Sequence, residues 1–169
     1  MNLAQFEDEQ LTRYHRYWIH FRVNLYKRNF MGVFRQEFTI INADDKALAK
    51  RNLIKHDEVR ELKTSFLIDT GAYMLCINEE IQHQLGLEIT DRQEVLPANG
   101  ERQLFNIAGP VEIKIFNRRT ITEAIVLPGN AEPLFGSIPL EALDLIVDPR
   151  EKALKLPPDR PYIAQTLVL

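Results

Sequence analysis

Phe66-Leu67-Ile68-Asp69-Thr70-Gly71-Ala72, followed by Tyr73-Met74-Leu75-Cys76-Ile77, is the stretch of this 169-residue chain from which its fold can be read. A short apolar run that stops at Asp-Thr-Gly describes a buried strand delivering one carboxylate to the edge of a core. Holding a carboxylate there is costly unless it is paired or put to use. Gly71 permits a sharp turn with positive φ, Thr70 offers a hydroxyl that can bond locally, and Ala72 leaves the approach open. Met74 to Ile77 then reads as the next buried strand. Two readings fit the tripeptide alone: an ordinary hairpin turn, since Asp-x-Gly is common turn chemistry, and a loop built to present Asp69.

Composition sets the frame. With 45% hydrophobic and 27% charged residues, the chain has the length and apolar content of one domain with a short appendage. A formal charge of -3 and a pI near 5.8 give the whole molecule no electrostatic reason to bind nucleic acid or an anionic membrane. Cys76 is the one cysteine, which excludes an internal disulfide or a cysteine metal cluster and fits a reducing cytoplasm. Its apolar setting reads as a small core residue, with a reactive thiol as the alternative. No uninterrupted apolar run approaches the roughly 18 residues of a membrane span, and Glu7, Asp8, Glu9, Arg13 and Arg16 break up any signal-peptide core. The expected location is cytoplasmic.

Residues 1–30 differ from the rest. Between Glu9 and Glu37 there is no acid, whereas Arg13, Arg16, Arg22, Lys27, Arg28 and Arg35 are basic, and Leu11, Tyr14, Trp18, Phe21 and Leu25 form an amphipathic helical stripe. Such a helix could pack on the body or on a second subunit, or form a basic aromatic arm that touches nucleic acid or a membrane surface. Met31 could equally be the biological start.

Further along, Val33 to Ile41 alternates incompletely and predicts an outer strand. Asn42 to Glu58 has helical character, with Asn42 as cap and Asp44 and Asp45 in the first turn; a metal site is the rival reading of those acids. Val59 to Ile68 resumes as a strand. Asn78 caps a short helix bearing Glu79, Glu80, Ile81, His83 and Leu85 and stopped by Gly86, and His83 should be exposed on it. Val95-Leu96-Pro97, Ala98-Asn99-Gly100 and Gln103-Leu104-Phe105 form a hairpin around Asn99-Gly100. Val111 to Phe116 and Thr120 to Leu127 alternate on either side of a turn at Asn117-Arg118. Lys152 to Leu156 makes a last strand. Pro157-Pro158-Asp159-Arg160-Pro161 then excludes regular structure, leaving Tyr162 to Leu169 as an extended tail.

Strand, Asp-Thr-Gly-Ala, strand, and a later apolar pair plus glycine, Leu134-Phe135-Gly136, resemble the retroviral-type, retropepsin-like aspartic proteases in their bacterial-type, single-domain form. Ser137 to Asp144 is similar to the helix that follows in that family, and Leu145 to Pro149 to the strand and turn after it. The resemblance runs from about Met31 to Lys155. It implies a mainly β fold, a closed barrel with two or three short helices acting as a homodimer. The division expected is an extension over 1–30, a protease domain over 31–156 and a proline-rich tail over 157–169.

The implied activity is hydrolysis of peptide bonds in a protein or peptide substrate. One carboxylate cannot both take a proton from water and give one to the departing amine, whereas two that share a proton can. The chain has one Asp-Thr-Gly and no Asp-Ser-Gly, so the arithmetic calls for two copies that bring Asp69 to a two-fold axis. On this resemblance Asp69, Thr70 and Gly71 are catalytic, Thr70 locking the two loops together. Ala72, Asn99, Gly100 and Gly136 meet or support the substrate, with the Asn99-Gly100 hairpin as a flap; an ordinary surface hairpin is the alternative. Tyr73 departs from the small or acidic residue usual at that position. No metal and no organic cofactor is implied, and neither nucleic acid nor membrane is expected for the core domain. Because members of the family release themselves from precursors, Phe30-Met31 is a candidate self-cleavage bond. The rival from another class is a non-catalytic dimerisation or peptide-binding module on the same barrel.

Overall fold

The computed structural model describes residues 34–95, 102–162 and 164. The N-terminal stripe, the self-cleavage candidate Phe30-Met31, the turn residues Asn99 and Gly100, and residues 163 and 165–169 of the expected tail lie outside these residues.

Among the described residues, nine strands and three short helices follow one another as β1 (Arg35–Asn42), α1 (Ala43–Lys50), β2 (Glu61–Ile68), β3 (Leu75–Asn78), α2 (Glu79–Leu85), β4 (Glu88–Val95), β5 (Gln103–Ile115), β6 (Arg118–Leu127), β7 (Leu134–Phe135), α3 (Ser137–Ala142), β8 (Ile146–Asp148) and β9 (Ala153–Lys155). A single 3-10 turn covers His56–Glu58. The order β1-β2-β7-β3-β6-β5 closes on itself because β1 also pairs with β5, so six strands form a barrel with no open edge. β4 hangs on the first half of β5, and β8 pairs only with β9.

Alternation sorts side chains to the two faces of this wall. Phe38, Ile40, Phe66, Ile68, Leu75, Ile77, Ala108, Ile113, Ala124 and Phe135 point inward. Phe38 stacks on Phe135 with centroids 4.0 Å apart, and Phe66 meets both rings edge-on at 5.7 Å. These three rings fill the barrel beneath the Asp-Thr-Gly loop.

Two asparagines fix the helices. Asn42 Oδ1 accepts from the amides of Asp44 and Asp45 at 3.0 and 3.1 Å, while its Nδ2 donates to Leu85 O at 3.0 Å, so one buried side chain caps α1 and closes the end of α2. Asn78 Oδ1 accepts from Ile81 N at 2.9 Å and its Nδ2 donates to Ala131 O at 3.0 Å. Gly86 ends α2 at φ +54°, in the left-handed region expected of a helix-stopping glycine.

Several expectations change. β1 is not an outer strand: it is hydrogen-bonded on both sides, and its incomplete alternation arises because Ile40, Ile41 and Asn42 are all buried where α1 folds back. The helix after Asn42 stops at Lys50 rather than running to Glu58. The β5–β6 turn is Phe116-Asn117, with Arg118 already in β6 and buried, since Ile115 pairs with Arg118. Asp45 does more than suit a helix end: Arg60 Nε and Nη2 donate to its two oxygens at 2.7 Å each, and this bidentate pairing holds its carboxyl below the usual range. Among the described residues no cluster of three His, Cys, Asp or Glu side chains could hold a metal ion, and no helix is long and apolar enough to cross a membrane.

Candidate active site

The Asp-Thr-Gly loop joins β2 to β3, yet these consecutive strands do not pair. β7, from much later in the chain, lies between them, parallel to β2 and antiparallel to β3. Two residues suffice for this insertion. Leu134 sits opposite both Leu67 and Cys76, and Phe135 opposite both Ile68 and Leu75. The loop therefore has to arch over the end of β7, and backbone bonds hold it there: Asp69 N donates to Phe135 O at 3.1 Å, Ser137 N to Ala72 O at 2.9 Å, and Ile138 N to Tyr73 O at 3.0 Å.

Gly136 lies where the arch crosses. A Cβ on it would stand 2.7 Å from the carbonyl carbon and oxygen of Tyr73, and closer still to Met74 O. Only a residue without a side chain lets the two backbones pass. The approach to β7 is also tied down, since Ala131 O is held by Asn78 and Gly129 N donates to Glu79 Oε2 at 2.9 Å.

Asp69 stands half-buried at the mouth of the barrel. Its Oδ1 accepts the Gly71 amide at 2.9 Å, and its backbone oxygen accepts Ala72 N at 3.1 Å, a tight turn that fixes the carboxylate plane. Gly71 is not among the residues with positive φ, so the expectation of a left-handed turn there fails. Its glycine character serves space instead, because a Cβ would meet Asp69 Oδ1 at 3.1 Å. Thr70 and Tyr73 are exposed, Tyr73 to 78%, and Ala72 is half-buried. Asp69, Thr70, Gly71, Ala72 and Gly136 are thus brought together; Asn99 and Gly100 lie beyond the described residues.

A second apolar cluster, missed in the sequence, covers the outer face of the wall beside the loop. Leu67, Cys76, Ile107, Ile125 and Leu134 form it, with Ala72, Met74, Phe105 and Leu127 at its margin. Strand alternation is the signal that could have found it, since each member neighbours an inward-pointing residue. Cys76 belongs to this face: burial, and after it the charge of Asp69, push its thiol up to about 12, which rules out a thiolate at neutral pH. His83 is exposed on α2, as expected. The β4–β5 hairpin is present, with Val95 opposite Gln103 as its last described pair.

Residues 58–141 match the family described as "gag-polyprotein putative aspartyl protease". Among solved structures, the retroviral protease-like domain of Ddi1 from Leishmania major is similar at 13% identity and a TM-score of 0.43, covering 56% of this chain and 79% of that one. A retropepsin-like aspartic protease from Rickettsia conorii is similar at 16% identity and a TM-score of 0.38, covering 69% and 88% respectively. The comparison with curated proteins returns no match. The matched segment runs from the approach to β2 through the arch to α3, and over these 84 of the 169 residues the chain matches the aspartyl protease family.

Proposed function

We propose that the chain is an aspartic endopeptidase that works as a homodimer, with Asp69 of each copy facing one water. The observation that carries this reading is the presentation of Asp69: a carboxylate pinned by Gly71 N–H at the mouth of the barrel, on an arch that β7 and Gly136 hold from below. Two such carboxylates brought close cannot both ionise freely, so the pair shares a proton. The ionised one takes a proton from water, whose oxygen attacks the scissile carbonyl carbon. The protonated one donates to the developing oxyanion, and a proton then passes to the departing amine. In this reading Thr70, exposed beside Asp69, bonds to the twin loop.

The outer cluster around Leu67, Cys76 and Leu134 supplies an apolar wall for substrate side chains, with Ala72 at its rim. The segment that joins β4 to β5, which includes Asn99 and Gly100 in the sequence, closes over an extended peptide through strand-like backbone bonds. Tyr73 narrows the seam or a pocket, so its substrate preference is its own.

The test is cleavage of a peptide library by the wild type and Asp69→Asn. The expected result is turnover that rises at mildly acidic pH, is blocked by a statine-type inhibitor and vanishes in Asp69→Asn. Equal behaviour of the two proteins would sink the protease reading and leave a non-catalytic peptide-binding module.

A further inference from the structure

We propose that Leu11–Leu25 of the N-terminal arm docks as an amphipathic helix into the groove between α2 and the β4–β5 hairpin of its own subunit, clamping the hairpin against the barrel. The groove is open and holds about 750 Å³. Its lining includes Ile89, Leu104 and Phe105 on the hairpin and Glu79 and Glu80 on α2, with Arg92 as the basic group. Ile89 is 46% and Leu104 62% exposed, which leaves large apolar side chains facing water beside α2.

Charge favours the arm as occupant. Glu79 and Glu80 line the groove and Glu94 lies opposite Leu104 on the same face of the hairpin, against Arg92 and against Arg102, which pairs with Glu94 at 3.5 Å. The arm carries five basic residues from Arg13 to Arg28 and no acid after Glu9. Placed on a helix at about 100° per residue, Leu11, Tyr14, Trp18, Phe21 and Leu25 fall within an arc of roughly 80°, and Arg22 and Arg28 lie about 20° beyond its two edges. The apolar stripe would enter the groove, and these two arginines would flank it and reach the acidic rim.

Reach is sufficient. Phe34 O accepts Ile68 N at 2.9 Å, which fixes the start of the described chain beside the end of β2. With the helix continued to Arg28, the six residues from there to that point span up to about 20 Å when extended, more than the radius of gyration of about 15 Å for a domain this size. The groove adjoins the outer cluster through Phe105, which touches both, while Leu104 and Asn106 line the groove alone.

Trp18 is the only tryptophan in the chain, so its fluorescence reads the arm alone, whether or not the protein cleaves peptides. The experiment uses the full chain and measures emission and acrylamide quenching for the wild type, Leu104→Asp, Glu79→Lys/Glu80→Lys, and the latter combined with Arg22→Glu/Arg28→Glu. Far-UV circular dichroism and melting confirm the barrel in each. Protected, blue-shifted emission is expected in the wild type. Each of the first two variants should lower the docked-to-free ratio about tenfold, seen as red-shifted emission and faster quenching, and the charge swap should restore protection. An exposed Trp18 in the wild type, or equal protection in the groove variants, would overturn the proposal. Protection lost on dilution would also overturn it, assigning the groove to the arm of a second copy.

Discussion

Replacing Gly136 by alanine tests the arch directly. The new methyl would stand 2.7 Å from the carbonyl carbon and oxygen of Tyr73, both backbone atoms that cannot rotate away. Restoring ordinary contact requires the Tyr73-Met74 segment to lift by at least about 0.7 Å. That movement strains the bonds Ser137 N to Ala72 O and Ile138 N to Tyr73 O, 2.9 and 3.0 Å long. Overpacking of about 1–3 kcal/mol plus roughly 1 kcal/mol for each of the two weakened bonds gives a loss of about 3–5 kcal/mol. At about 2–4 °C per kcal/mol for a chain of this length, Tm should fall by roughly 6–20 °C. The control is Gly129→Ala, at φ +58° with open space around it, where only backbone strain of about 1 kcal/mol applies. Thermal melts of the two variants decide the matter. A Gly136→Ala protein that melts within about 2 °C of the wild type, or above Gly129→Ala, refutes the crossing described here. If the chain is a peptidase, kcat/KM should drop by about a hundredfold as Asp69 shifts with the arch.

Asn42→Ala should cost about 2–4 kcal/mol in urea unfolding because it removes a cap and a donor at once, while Asn42→Asp, which keeps the acceptor oxygens, should cost less. Arg60→Ala should cost about 1–3 kcal/mol near pH 7, a range kept low because Arg60 is half exposed. Arg60 holds the Asp45 carboxyl below its unfolded value of about 3.9, so the pairing stabilises above that pH and is lost as pH falls through the folded value. The stability gap between the wild type and Arg60→Ala should therefore shrink below about pH 4. Cys76 should resist a thiol-reactive disulfide at pH 8 in the native protein and react fully in denaturant; fast native-state labelling would contradict its burial.

What could be read from the sequence was what short-range pattern encodes. β2, the Asp-Thr-Gly loop, β3 and α2 with its Asn78 and Gly86 ends all follow from residues within one or two turns of each other. The closed barrel came through the family resemblance rather than through strand periodicity. Features that depend on partners distant in sequence were hidden. β1 reads as an edge because nothing local shows its second partner. Glu112 alternates like a solvent-facing residue, yet it is buried and meets Lys46 at 2.5 Å and Lys114 and Arg119 at 3.6 Å. Gly71 was assigned to turn conformation when its reason is the space beside Asp69. At the candidate site the sequence exposed the loop and Gly136 but not the apolar face around Cys76, whose members are scattered from Leu67 to Leu134.

The two-residue strand β7 has a consequence for biosynthesis. Its slot between β2 and β3 stays vacant until translation has passed Phe135, more than sixty positions after Asp69, so a nascent polypeptide carries the acid long before it carries the girder beneath it. A growing chain on the ribosome therefore presents the loop before the strand that braces it has been made.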